Sequence, residues 1–173
     1  SVRLVGSEMC IRDRYYVMDY TESFSEDVVD NFVGMYAKGL TPNPCVECNR
    51  SVKFDHFLTQ AKKLNCEKVA TGHYAKIIKN DNNYELHKAD YLDKDQSYVL
   101  HMLTSEKLEY IEFPLGTISK PEVRQIAAEL GLKTAFKKDS QDICFVGKKD
   151  YRNFVNTRVD ISSSGEIVDN NGK

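Results

Sequence analysis

The sequence predicts an α/β fold with a largely parallel sheet. Two observations carry this reading. Short apolar runs that meet polar or glycine-bearing turns, Lys68–Thr71 before Gly72-His73 and Ile143–Val146 after a polar tetrad, read as strands. Stripes of apolar residues at helical spacing lie between them, and strands alternating with helices are the pattern of βαβ units. In such sheets ligands collect at the carboxyl ends of strands, where Gly72-His73 and the Cys144 segment both fall.

In chain order, residues 1–14 show neither helical nor alternating periodicity and are read as a non-native leader, with no role for Cys10. Tyr15–Tyr20 reads as a short strand. Ser25 is the expected N-cap of a helix, with Glu26 and Asp27 favourable in its first turn. Val28, Val29, Phe32, Val33 and Tyr36 form the apolar face of that helix, and Gly39 stops it. The run Thr41-Pro-Asn-Pro-Cys-Val-Glu-Cys-Asn-Arg50 follows. Its prolines fix their own φ and push the preceding residues extended, so the expectation is a stiff loop holding Cys45 and Cys48.

Phe54, Phe57, Leu58, Ala61 and Leu64 make a second helical stripe. Tyr74–Lys79 and Tyr84–Lys88 flank Asn80–Asn83 as a hairpin. Asp93–Leu100 runs from a polar turn into a helix. Ser119 and Glu122 spell a capping box for a helix that turns Val123, Ile126, Ala127 and Leu130 inward and stops at Gly131. One more helix is expected over Lys148–Val159 and a β-segment from Glu166.

The bulk numbers narrow the function classes. With 173 residues, 41% hydrophobic and 29% charged, a buried core is expected and disorder is not. The net charge of −2 provides no global basic field for nucleic acid, so any such partner needs a local patch. No apolar run reaches membrane-spanning length, and no membrane association is expected. Five cysteines, an odd number at uneven spacing, do not form a secreted disulfide framework and fit a reducing cytoplasm.

Cys45-x-x-Cys48 has three readings. Half a zinc site would need two further ligands; His56, Cys66 and His73 are available but not at partner spacing, so no metal is assigned. One thiol could simply be buried. A reactive pair would use Arg50, Lys53 and a following helix N-terminus to lower a thiol pKa, which favours Cys48 as nucleophile. Cys144 lies between Ile143 and Phe145; alternation puts it on the opposite face, beside the polar residues Asp139–Asp142. Taken singly, His73 reads equally as a surface histidine, Lys94-Asp95-Gln96 as a charged helix start and Cys66 as packing.

TPNPCVECNRSVKF, ATGHYAKI, DKDQSYVLHML, FPLG, KPEVRQIAAELGL and KKDSQDICFVG, in this order, resemble the tRNA-specific 2-thiouridylase family (MnmA). The resemblance implies a Rossmann-like fold of the adenine-nucleotide α-hydrolase type, truncated here. Expected regions are a leader at 1–14, a partial nucleotide-binding and thiolation domain at 15–148, and the start of a central tRNA-binding domain at 149–173. It implies a cytoplasmic enzyme that uses ATP, with Mg2+, to replace O2 of a tRNA wobble uridine by sulfur from a persulfide donor protein. By the resemblance Cys48 is the nucleophile and Cys144 the persulfide carrier, and the two close a disulfide during the reaction. Asn43, Pro44 and Cys45 contact the target base, Gly72 the nucleotide, and His73, Lys94, Asp95 and Gln96 the tRNA. Where many relatives carry an acid–base Asp, this chain has Cys45. It also lacks the family's SGGVDSS-type phosphate loop and C-terminal barrel, which makes it a fragment expected to be inactive alone. Two other functions remain open: a small-molecule ATP-pyrophosphatase of the same fold, and a non-enzymatic zinc or redox module.

Overall fold

Asp19 starts the first helix. Its carboxylate accepts from the Thr21 N–H at 2.9 Å, so the chain turns helical four residues before Ser25. The computed structural model describes residues 16–81, 83–139, 142–147, 150–159, 168–170 and 172. Thr21–Phe24, the wider π-type segment Ser25–Asp30 and Asn31–Ala37 run on as one helix, α1. Ser25 is therefore interior to the helix and not its N-cap. Gly39, at φ +73°, closes the end as expected. The predicted strand at Tyr15–Tyr20 does not form over its described residues: nothing pairs with 16–20, and Tyr20 instead packs on Val28 and Val52.

The proline-cysteine run is the largest correction. Proline at the first helical position has the φ a helix needs and no N–H to waste, so Pro44 begins a helix instead of stiffening a loop. Asn43 is extended and caps it, accepting from Cys45 N–H at 3.1 Å. Pro44–Cys48, the π-type segment Asn49–His56 and Phe57–Lys63 make one continuous helix, α2. Cys45 and Cys48 sit in its first turns.

Strand β1 (Val69–Ala70) pairs in parallel with β4 (Ile111–Glu112), Val69 opposite Ile111. Strands β2 (Ala75–Asn80) and β3 (Asn83–Lys88) form the expected antiparallel hairpin. Between β3 and β4 lie two 3-10 turns, Leu92–Lys94 and Ser97–Val99, in place of the helix expected after Asp93, then helix α3 (Ser105–Leu108). The capping box at Ser119 and Glu122 is present and starts α4 (Lys120–Glu129). Its apolar stripe is not covered, however: Ile126 is 46% and Leu130 56% exposed. Helix α5 (Tyr151–Asn156) is the helix expected after Lys148. The β-segment expected from Glu166 falls largely outside the described residues.

The main core joins Phe54 of α2 to Ala75, Val99, Leu100, Leu103, Leu108, Ile111 and Phe113, which locks the cysteine helix onto the hairpin and the parallel pair. Gly116, in the FPLG stretch, comes so close to the hairpin that a methyl group there would overlap the Ala75 carbonyl. A second cluster sets Tyr20, Val28 and Val52 around Cys48, and a third sets Phe32, Val33 and Val155 between α1 and α5. Phe145 belongs to both.

Candidate functional site

Ile143–Val146 is not a strand. Val146 N–H returns to the Ile143 carbonyl at 3.1 Å, a turn, because among the described residues no strand pairs with it and the side chains find a better place. Phe145 enters an aromatic nest, 5.7 Å from Phe24, 5.3 Å from Phe32 and 5.4 Å from Phe154 between ring centroids. Offset and edge-on pairs of this kind add to simple burial. Ile143 packs beside Phe145, and the intervening Cys144 is left exposed. The expected division of faces thus holds in a turn.

Because Phe145 and Cys48 pack against the same Tyr20–Val28–Val52 cluster, the same anchor brings the Cys144 segment towards the start of α2, 96 positions away in sequence. Cys45, Cys48 and Cys144 share one electrostatic neighbourhood: the Cys144 thiol raises the pKa of both Cys45 and Cys48. All three are free thiols, as is the exposed Cys66. No disulfide joins the described cysteines.

The expected lowering of a thiol pKa is overturned. Burial pushes both Cys45 and Cys48 up, and only Lys53 works against it. Arg50 is instead ion-paired with Glu47 and Asp55. Lys53 lies in the π-type segment that follows Cys48 in α2.

His73 is 9% exposed, with Phe54 and Phe113 rings 6.0 and 5.9 Å from its own. Burial, with Lys53 adding repulsion, lowers its pKa from 6.5 to about 4. It is therefore a neutral imidazole, with Nδ1 2.8 Å from the Thr71 hydroxyl. Gly72 lies just past the carboxyl end of β1, and a methyl added there would make ordinary contact with Leu115 Cδ1 at 3.7 Å.

Lys94-Asp95-Gln96 divides its labour. Gln96 exchanges two hydrogen bonds with the Tyr74 backbone: its N–H donates to the Tyr74 carbonyl at 2.8 Å, and its Oε1 accepts from Tyr74 N–H at 3.0 Å. Asp95 accepts from Ala89 N–H at 2.8 Å and from the Ser97 hydroxyl at 2.6 Å. Gln96 thus holds the segment against the residue after His73, and Asp95 ties it to the end of β3. Lys94 alone reaches outward, to Asp139 at 3.0 Å.

Sequence reasoning missed three supports. Buried Asn49 donates from Nδ2 to the Val99 carbonyl at 3.0 Å and ties α2 to this segment. Buried Ser51 donates to Asp27 of α1. Phe145 anchors Cys144. The first two lie one and three residues after Cys48, and their burial was legible only from the helix starting earlier than expected.

With the geometry in place, the comparisons are decisive. Residues 2–148 match the model of the tRNA methyl transferase HUP domain. The chain belongs to that family. Among the relatives, it is 50% identical over 159 residues to a tRNA-specific 2-thiouridylase MnmA of Rickettsia bellii, covering 91% of this chain and 43% of the relative. To the proteins of the same name from Rickettsia peacockii and Rickettsia akari it is 49% and 48% identical, over 44% of each. The chain thus spans under half the length of the relatives it matches. The family fold is the HUP type, α/β with helices around a parallel sheet. Among the described residues, no helix of this HUP-domain protein is long and apolar enough to cross a membrane, and no three His, Cys, Asp or Glu side chains gather as a metal's ligand set.

Proposed function

We propose that this chain is the nucleotide-binding and thiol-bearing portion of a cytoplasmic enzyme that replaces O2 of a tRNA wobble uridine by sulfur. The observation that carries the proposal is the meeting of Cys144 with Cys45 and Cys48 at the start of α2, with Phe145 as the anchor. A core packing role would not leave two of the three, Cys45 and Cys144, on the surface.

ATP, with Mg2+, supplies one thing when bound: it turns uridine O2 into an AMP leaving group. Gly72 is the residue of this chain that faces the nucleotide. Cys144, exposed on its turn, receives sulfur as a persulfide from a donor protein. Its terminal sulfur forms the bond to C2 as the C2–O bond breaks and AMP departs. The Cys48 thiolate then attacks Sγ of Cys144. The S–S bond breaks, its electron pair stays with the sulfur on C2, and a Cys48–Cys144 disulfide remains for an external dithiol to reduce.

Lys53 assigns itself a part in this. Burial opposes ionisation of Cys48, and the ammonium is the charge that offsets it. Asn43 and Pro44 frame the first turn of α2, where the extruded base would meet Cys45. His73, neutral and buried, serves as a hydrogen-bonding neighbour of the tRNA and not as a cation against phosphate.

Treating the chain with inorganic polysulfide and mapping the added sulfur by mass spectrometry tests the roles. Sulfur is expected on Cys144, and loading disappears in Cys144→Ser. Sulfur on Cys45 or Cys48, undiminished in Cys144→Ser, would overturn the assignment.

A further inference from the structure

Away from the thiols, three cations surround one carboxylate. Asp139 accepts from Lys94 at 3.0 Å and Lys120 at 3.1 Å, with Arg124 at 3.9 Å. Tyr91 and Pro121 complete the lining of an open cavity of about 360 Å³. Among the described residues, Asp139 is the carboxylate that pairs with these cations, so the cavity carries an excess of two positive charges. In a chain of net charge −2 this is a strong local concentration. Lys94 comes from the segment that Gln96 bolts to Tyr74, whereas Lys120 and Arg124 stand one turn apart on α4. Two separate elements thus point cations into one hollow.

We propose that Lys94, Lys120 and Arg124 form a binding site for a backbone phosphate of the RNA substrate, in which Asp139 is the internal anion that the phosphate displaces. A phosphodiester carries the same single charge as the carboxylate and offers oxygens to the same donors. The hydrogen bonds from Lys94 and Lys120 hold the Asp139 carboxyl below the usual carboxylate range, so it is fully ionised as a competitor. The placement also gives the pocket a reach into the site. It lies beside Tyr74, next to His73, and Asp139 is five residues before Cys144. The identity of the RNA rests on the thiolation reading above; the phosphate chemistry does not.

The test measures binding of the full chain to an RNA stem-loop carrying an unmodified wobble uridine, by fluorescence anisotropy over a range of salt. Inorganic pyrophosphate serves as the second probe. Lys120→Ala with Arg124→Ala is expected to weaken RNA binding about tenfold at low salt and to reduce the salt slope by about 1. Lys120→Arg keeps the binding. Asp139→Asn is expected to strengthen it about threefold, the opposite of what a merely structural ion pair would do. Circular dichroism melts confirm that each variant is folded, and the gain in Asp139→Asn cannot arise from unfolding. RNA binding unchanged in both the double variant and Asp139→Asn overturns the site and leaves thiolation standing. Pyrophosphate binding that the double variant loses while RNA binding stays overturns the RNA assignment. Failure of every variant and the parent to bind RNA at low salt overturns both readings.

Discussion

Two helices of this chain start with the same grammar and end in opposite circumstances. Helix α2 begins with Asn43 as cap and Pro44 at its first position; α4 begins with Ser119 as cap and Pro121 in its first turn. Both carry apolar stripes of helical period. Yet α2 buries Val52, Phe54, Leu58 and Ala61, whereas α4 buries no residue at all. Local rules decide where a helix starts. What covers it is decided by segments far away in sequence. The difference sorts the chemistry too: the start of α2 offers thiols in a half-dry setting, and that of α4 offers cations in an open one.

The largest expected contrast is in packing. Phe54→Ala, at a residue 0% exposed, is expected to cost about 4 kcal/mol, because the transfer and cavity terms add. Ile126→Ala on α4 should change stability by less than about 0.5 kcal/mol. Urea unfolding of the two variants measures both, and comparable losses would mean that α4 is covered in solution.

A pH titration comes next. The folded pKa of His73 lies at about 4, below its ordinary 6.5, so the unfolded chain takes up the proton first. Its contribution is complete above pH 6.5 and is lost as pH falls from about 6.5 to about 4. At full loss this is about 3 kcal/mol. Asp27, Asp95 and Asp139, all held below the usual carboxylate range, act at lower pH and leave this window to His73. His73→Gln should flatten the stability profile there; a profile as steep as the parent's would refute the burial argument.

The caps are the smallest test. Asn43→Ala and Ser119→Ala should each cost about 1 kcal/mol by thermal melting. They differ in consequence. Only Asn43→Ala is expected to change the alkylation rates of Cys45 and Cys48, because Cys45 N–H is the group that Asn43 holds.

Much of this was legible in the residues. The hairpin around Asn80–Asn83, the capping box at Ser119, the stop at Gly39 and the short strand before Gly72 all follow from local chemistry. The failures have a common cause. Ser25 and the proline-cysteine loop were misplaced because helices start earlier, at Thr21 after Asp19 and at Pro44 behind the Asn43 cap. Ile143–Val146 has strand composition but no partner strand, and Phe145 drops into aromatic rings supplied by α1 and α5. The pKa of Cys48 could not be read from neighbouring basic residues, because burial by the surrounding cluster outweighs Lys53, and Arg50 is paired with Glu47 and Asp55. Each of these is a long-range or paired effect, invisible to spacing.

The central claim is that Cys144 and Cys48 work as a pair, with Cys45 as the local competitor. Mild diamide oxidation of the chain, followed by peptide mapping under non-reducing conditions, tests it directly. A disulfide requires α-carbons roughly 4.4–6.8 Å apart, so Cys144 on its exposed turn has to close onto half-buried Cys48 at the start of α2. The account predicts a Cys48–Cys144 linkage as the main product, which Phe145→Ala diminishes by releasing the anchor. A dominant Cys45–Cys48 linkage, with Cys144 remaining reduced and Phe145→Ala without effect, would contradict it.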